Sequence, residues 1–290
     1  MLRLLGNPST LNAHILRVFQ EKSNDEGLFP EGISNSAATS SVLLLLGQYC
    51  DHPDHSTETC LVFNKRSKKV KQSGDLCFPG GRIMFRSDVY LSKVLGWPFF
   101  PLARWPFWHR WRHLRPLEAR RLALLLAAGL REGFEEMRLN PLGVKFFGPL
   151  PPQRLQMFDR VIYPMVGWIG RQKRFCPNWE VEKIVYIPLR DLLKADGYSC
   201  YRLQMGTRSK IPSLAGHNHM TKGNTEDFPC FLYQKGDNRE VLWGATYRIT
   251  ILFLKLIFGF SPPPVENLPI IEGALDDNYL KGSWQERMTS

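Results

Sequence analysis

Between Arg131 and Leu139 the chain reads Arg-Glu-Gly-Phe-Glu-Glu-Met-Arg-Leu, which places carboxylates at Glu132, Glu135 and Glu136. That i, i+3, i+4 spacing brings side chains together on one side of a helix. At about 100° per residue, Leu130, Phe134 and Met137 fall within about 60° of one another on the opposite side. The run therefore predicts an amphipathic helix with a core face and an acidic face. Like charges at this spacing repel by roughly 0.2–0.5 kcal/mol per pair. A divalent cation, Mg²⁺ or Mn²⁺, would turn that repulsion into coordination, because carboxylate oxygens suit such hard ions. Standing alone, the run equally suits a solvated acidic face.

Upstream the chain carries Lys65-Arg66-Ser67 and then Gly74-Asp75-Leu76-Cys77-Phe78-Pro79-Gly80-Gly81-Arg82. Phe-Pro-Gly-Gly closing an apolar stretch predicts a strand end and a turn that needs glycine's freedom in φ. A glycine turn feeding later into Arg-Glu-x-x-Glu-Glu resembles the box of the Nudix hydrolase superfamily, with Gly81, Arg131, Glu132, Glu135, Glu136 and Leu139 at matching positions. The pattern departs in four places. Gly81 and Arg131 are separated by an extra segment of about Ile83 to Arg120. The first glutamate of the box is missing or displaced to Glu118. Gly133 takes an apolar position, at about 1 kcal/mol relative to alanine in a helix interior. Arg138 replaces the closing glycine, which makes Asn140 the nearest residue suited to ending the helix.

Further runs resemble the coenzyme A diphosphatase branch of that superfamily. They are Val62 to Ser67 with Lys71, Gly74 and Phe78 to Gly81, then Phe147 to Pro151, Val161 to Gly167, Ile187 to Leu189, Glu180-Val181 and Leu242 to Thr246. The resemblance implies an α/β/α sandwich with a mixed central sheet. It implies a metal held by Glu132 and Glu136, with Glu135 supporting them or pairing with Arg131, and Glu136 or Glu180 as base. It implies phosphate contacts from Arg66, Lys71, Gly80, Gly81 and Arg82. The implied reaction is hydrolysis of the pyrophosphate of coenzyme A or an acyl derivative. ADP-ribose or NADH as substrate, or a decayed binding module, are the alternatives.

Composition is ordinary for a globular chain, 43% apolar and 22% charged, and 38 basic against 27 acidic residues leave a net charge of +11. That excess suits an anionic partner such as a phosphorylated small molecule or a membrane surface. Zinc-finger spacing, a helix-turn-helix cue and aromatic RNA-binding motifs are absent, so no nucleic-acid partner is expected. Six scattered cysteines and the absence of a signal peptide predict reduced thiols and a cytoplasmic location, with peripheral membrane association left open.

The predicted organisation is an N-terminal helix (11–21) and loop within 1–40, a catalytic domain over 41–260, and a tail over 261–290. Branched runs at Ser40–Leu46 and Thr59–Asn64 predict neighbouring strands joined by a turn at His52–Ser56. The glutamate helix is expected to begin near Pro116 or Leu117 and stop before Asn140-Pro141. Strands near 144–149, 161–168 and 181–187 follow, then a short helix at Leu189–Ala195, an irregular loop over 203–227 and a core helix over Thr246–Phe260. Segment 83–120 holds Trp97, Trp105, Trp108 and Trp111 among basic residues. Three readings stand for it: a membrane or partner surface, a lid over the substrate, or added core.

Overall fold

The computed structural model describes residues 2–22, 38–50, 57–155, 160–170, 172–204, 225–274 and 279. The expected loop at Ser23–Ser36 and the turn at His52–Ser56 lie outside the described residues. Helices α1 (Leu2–Leu5) and α2 (Pro8–Lys22) lead into strands β1 (Thr39–Cys50), β2 (Thr57–Arg66), β3 (Leu76–Cys77) and β4 (Gly80–Arg82). Helices α3 (Phe85–Val94), α4 (Trp108–Leu114) and α5 (Pro116–Met137) follow, then β5 (Val144–Pro149), β6 (Gln153–Leu155), β7 (Arg160–Ile169) and β8 (Val181–Pro188). The chain continues through α6 (Leu189–Leu192), β9 (Tyr198–Gln204), β10 (Thr225–Lys235), β11 (Asn238–Leu242), α7 (Gly244–Phe258) and β12 (Ile270–Ala274).

The main sheet runs β3-β2-β1-β7-β5, with β4 beside the start of β1, β6 on β7 and β8 on β2. Strands β1 and β7 are parallel, from Thr39 opposite Val161 to Gly47 opposite Ile169, and the other pairs are antiparallel. The expected mixed sheet is therefore present. Successive residues of a strand point to opposite faces. Leu43 and Leu45 accordingly enter one core with α5, while Leu44 and Leu46 enter another with α2 and α7. Both faces of β1 are buried, which is why its middle reads as an unbroken leucine run. Helices cover the sheet on both sides, giving the α/β/α sandwich.

A second sheet, β11-β10-β9-β12, packs Tyr198, Phe231 and Leu242 into the core on the α7 side. It occupies part of the stretch expected to be irregular: β9 runs to Gln204 and β10 begins at Thr225. Residues 205–224 lie outside the described residues. In the expected tail, β12 pairs in parallel with β9.

Segment 83–120 adds to the core. Trp105, Trp108 and Trp111 are buried with Leu122, Leu126 and Phe146. The Trp105 indole donates to the Phe147 carbonyl at 2.8 Å, and Arg104 donates to the carbonyls of Leu142 and Val144. Trp97 and Phe99 remain exposed. Among the described residues no helix is long and apolar enough to cross a membrane.

Candidate functional site

Helix α5 starts with Pro116 in its first turn, as proline's fixed φ favours. It buries a different face from the one its apolar spacing predicts. Leu130 and Met137 are in the core, but Phe134 is about half exposed and stacks under the Arg138 guanidinium at 5.0 Å. Gly129, Gly133 and Glu136 turn inward instead. A Cβ at Gly133 would crowd Leu139 and touch Leu43, so the missing side chain is what lets the helix lie close to β1. Glu136, and in part Glu132, is thereby pressed against the sheet, while Glu135 stays exposed to water. The helix ends at Arg138, not Asn140: Arg138 takes the left-handed conformation (φ 56°), and the Leu139 N–H donates back to the Gly133 carbonyl at 3.1 Å.

Glu132 packs on Gly81, where a Cβ would run into its carboxylate. Gly80, at φ 158°, lies so close to β1 that a Cβ would meet the Ser41 carbonyl and the Val42 backbone. The glycine pair thus brings β4 under Glu132. Glu136 is 7% exposed, and its Oε2 accepts from the Asn64 amide of β2 at 2.8 Å. Burial first, then the neighbouring Glu132 charge, pushes its carboxyl up to about 8, with Glu180 adding to the rise and Arg66 and the Asn64 hydrogen bond opposing it. Burial also raises Glu132, where Arg131 opposes and Glu135 and Glu180 reinforce.

Glu180 reaches this cluster from the turn before β8. Its carbonyl accepts from the Ser67 N–H, and the neighbouring Asn178 N–H donates to the Glu136 carbonyl. Glu135 is the outermost of the three helix carboxylates and pairs with Arg131 at 3.1 Å, as its i, i+4 spacing predicts. Arg131 is itself largely buried. Its guanidinium meets Asp88 of α3 at 2.7 Å, Glu132 at 3.0 Å and the Arg82 carbonyl at 3.0 Å. Arg131 therefore ties α3, α5 and β4 together beside the carboxylates. Asp88 and Asn64 are site residues that sequence reasoning missed. Asp88 is one of two acids in a basic segment, which was the available signal; Asn64 carried none.

Among the expected phosphate contacts, Arg66, Gly80 and Gly81 line one cavity of about 500 Å³. Arg66 Nε donates to the Lys71 carbonyl at 2.8 Å, whereas the Lys71 residue is exposed and outside the cavity lining. Arg82 follows Gly81 at the end of β4 and is exposed. The cavity lies between β1, β7 and β6 on one side and Phe228, Trp243 and the start of α7 on the other. Asp75 lines it, and accepts from Trp243 Nε1 at 2.9 Å and from the Tyr279 hydroxyl at 2.5 Å. Burial pushes the Asp75 carboxyl up to about 6 against those two hydrogen bonds and the Arg66 charge.

Glu136, nearly buried and hydrogen-bonded to one neutral amide, lies beside Glu132, whose partner Arg131 is shared with Asp88 and Glu135, so negative charge exceeds positive here. The set fits a divalent cation. Among the described residues no three His, Cys, Asp or Glu side chains converge as a ready metal cage. Glu132 and Glu136 would therefore act as two ligands, with waters and phosphate oxygens completing the shell, the usual manner of Mg²⁺ at phosphates.

No family model matches the sequence. The chain is 30% identical over 142 residues to Nudix hydrolase 22, chloroplastic, of Arabidopsis thaliana, which covers 48% of this chain. The chain spans only 41% of that relative's length. A MutT/nudix family protein from Enterococcus faecalis matches over 85% of this chain and 72% of its own, at 10% identity and TM-score 0.38. A NUDIX hydrolase from Alicyclobacillus acidocaldarius matches over 55% and 82%, at 14% identity and TM-score 0.35. The NUDIX domain of Shewanella oneidensis NrtR, solved with ADP ribose, matches over 60% and 85%, at 13% identity and TM-score 0.32. The curated relative supports the resemblance at the level of the Nudix superfamily.

Proposed function

We propose that this chain is a Nudix hydrolase, dependent on Mg²⁺ or Mn²⁺, that cleaves the pyrophosphate bond of a nucleoside diphosphate derivative, with coenzyme A or an acyl-coenzyme A as substrate. The observation that carries the reading is Glu132 packed on Gly81 of β4, with the buried Glu136 one helix turn on, next to a cavity lined by Gly81 and Arg66. The curated relative supports hydrolase chemistry, and the sequence runs around Arg66 and Gly80 support the coenzyme A branch. Extra residues inside the box and a cytoplasmic location, with free thiols at Cys60, Cys77, Cys176, Cys200 and Cys230, belong to the same reading.

A cation at Glu132 and Glu136 would neutralise pyrophosphate oxygens and make a water more acidic. The protein's own groups do the rest. Arg66, near enough to Glu136 for its charge to act there, faces the cavity and meets the phosphates. Glu180, which shares the electrostatics of both glutamates, accepts the attacking water's proton. Attack on phosphorus breaks the bridging P–O bond and leaves an adenosine bisphosphate and a phosphopantetheine-type product. Arg131 holds Glu132 in place and lies outside the lining of that cavity.

Incubation with Mn²⁺ or Mg²⁺ and coenzyme A, ADP-ribose or NADH, with products resolved chromatographically, tests the reading. Release of adenosine bisphosphate from coenzyme A, lost in Glu136→Gln, is expected. Cleavage of ADP-ribose or NADH instead would keep the chemistry and discard the substrate. No cleavage of any would turn the reading to a binding module.

A further inference from the structure

The cavity has a second cationic end that the pyrophosphate reading leaves without an occupant. In β1, Ser41 faces α5, donating to the Tyr163 carbonyl, so Ser40 faces the cavity. Opposite Ser40 stand Arg82 on β4 and Ile162 on β7. Directly opposed residues share a face, and so do residues two apart on a strand. Arg82, Ser40 and Arg160 thus lie on one face of three adjacent strands, away from Gly81, which faces Glu132; Ser40 and Arg160 line the cavity, and Arg82 is exposed beside them. Ser40 is 4% exposed, and its hydroxyl has no hydrogen-bond partner among the described residues although the residue lines the cavity. Among the described residues neither Arg82 nor Arg160 has an ion pair. The two cations act on each other: burial first and Arg82 second lower the Arg160 pKa. Asp75, the acid of the cavity lining, is already engaged with Trp243 and Tyr279.

Among the described residues, two guanidiniums without an ion pair and a buried hydroxyl without a partner ask for one compact anion with several acceptor oxygens. A phosphate meets that description, since guanidinium forks and a hydroxyl donor match its oxygens. We infer that Ser40, Arg82 and Arg160 form a subsite for a phosphomonoester that the substrate carries away from its pyrophosphate. This inference rests on the hydrolase reading and assigns Arg82 to the second phosphate rather than the scissile one.

The test is calorimetric titration without metal, comparing adenosine 3′,5′-bisphosphate, adenosine 5′-monophosphate and inorganic phosphate. Wild type should bind the bisphosphate about ten-fold tighter than the monophosphate, the worth of one charge-assisted contact set. Arg160→Met and Arg82→Met should each remove most of that preference, Ser40→Ala a smaller part, and Arg160→Lys should keep some of it. Circular dichroism of each variant guards against misfolding. Equal affinity for the two nucleotides in wild type, or a preference that survives in a folded Arg82→Met/Arg160→Met double variant, would overturn the subsite. Inorganic phosphate binding as tightly as the bisphosphate would make the anion a free one and overturn the substrate assignment. Cleavage of coenzyme A and dephospho-coenzyme A separates the two readings. A lower KM for coenzyme A that Arg160→Met abolishes supports the subsite. If neither is cleaved while the binding preference persists, the hydrolase reading fails and the subsite stands.

Discussion

Removing the Asp88 carboxylate would leave the Arg131 guanidinium largely buried with only Glu132, the exposed Glu135 and a carbonyl for company. Breaking a buried pair from one side commonly costs about 3–5 kcal/mol, because the other charge stays behind. Glu132 and Glu135 remain as partial compensation, so Asp88→Ala should cost about 2–3 kcal/mol in urea denaturation, at or just below the lower edge of that range. Asp88→Asn should lose less, since an amide still meets the Met84 N–H that Asp88 accepts. Asp75 makes a second residue-scale prediction. It is faced by Arg66, Cys77, Tyr201, Trp243 and Tyr279. Its folded pKa of about 6 lies above the ordinary carboxylate value, so the folded state binds the extra proton. Stability from this group is complete below about pH 4 and declines as pH rises through about 6. Asp75→Asn should flatten that slope and gain about 2 kcal/mol at pH 7, read from melting temperatures across pH. At this scale the sequence showed what local spacing carries, namely the glutamates and the glycine turn. Asn64, 72 positions from its partner Glu136, was invisible because no spacing rule joins them.

The existence of helix α5 was legible from its leucines and its proline start, yet its orientation was not. Apolar period places Phe134 inside; the steric room left by Gly129 and Gly133 turns the helix toward them and brings Glu136 in. Period counts hydrophobicity, whereas close approach counts volume, and here volume decides. Its end shows the same limit. Arg138 holds a left-handed conformation that costs a residue with a Cβ about 1 kcal/mol, and its side-chain contact with Phe134 offsets part of it. Arg138→Gly should therefore raise stability by about 0.5 kcal/mol, seen as a melting-temperature rise of a degree or two. A fall instead would mean that the Arg138–Phe134 contact outweighs the strain. In segment 83–120, tryptophans interleaved with arginines fitted lipid, lid and core alike. Burial of Trp105, Trp108 and Trp111 places these three in the core while Trp97 stays exposed, something composition alone could not do.

On the scale of the molecule, the cavity exists because two sheets and the start of α7 meet along β1, and the second sheet is the part that sequence reading did not foresee. Strands β9 and β10 are separated by twenty residues of polar, glycine-bearing chain, so no short turn announces their pairing. The architecture also limits how a cation can bind. Glu132 and Glu136 offer two protein ligands, and no third acid or histidine among the described residues completes a cage. Mg²⁺ alone should therefore bind weakly and barely shift the melting temperature. With α,β-methylene ADP, whose phosphate oxygens supply the missing ligands, binding should tighten. Saturation to a hundred times Kd stabilises by about 2.7 kcal/mol. For a chain of this size that is a rise of roughly 5–10 °C at 2–4 °C per kcal/mol. The Glu132→Gln/Glu136→Gln double variant should lose the rise that requires metal and analogue together. It should keep any rise produced by the analogue alone, which depends on Arg66 and the cavity. A large shift from Mg²⁺ without the analogue would point to a complete cage elsewhere in the chain. A joint shift retained by the double variant would remove these glutamates from the metal site altogether.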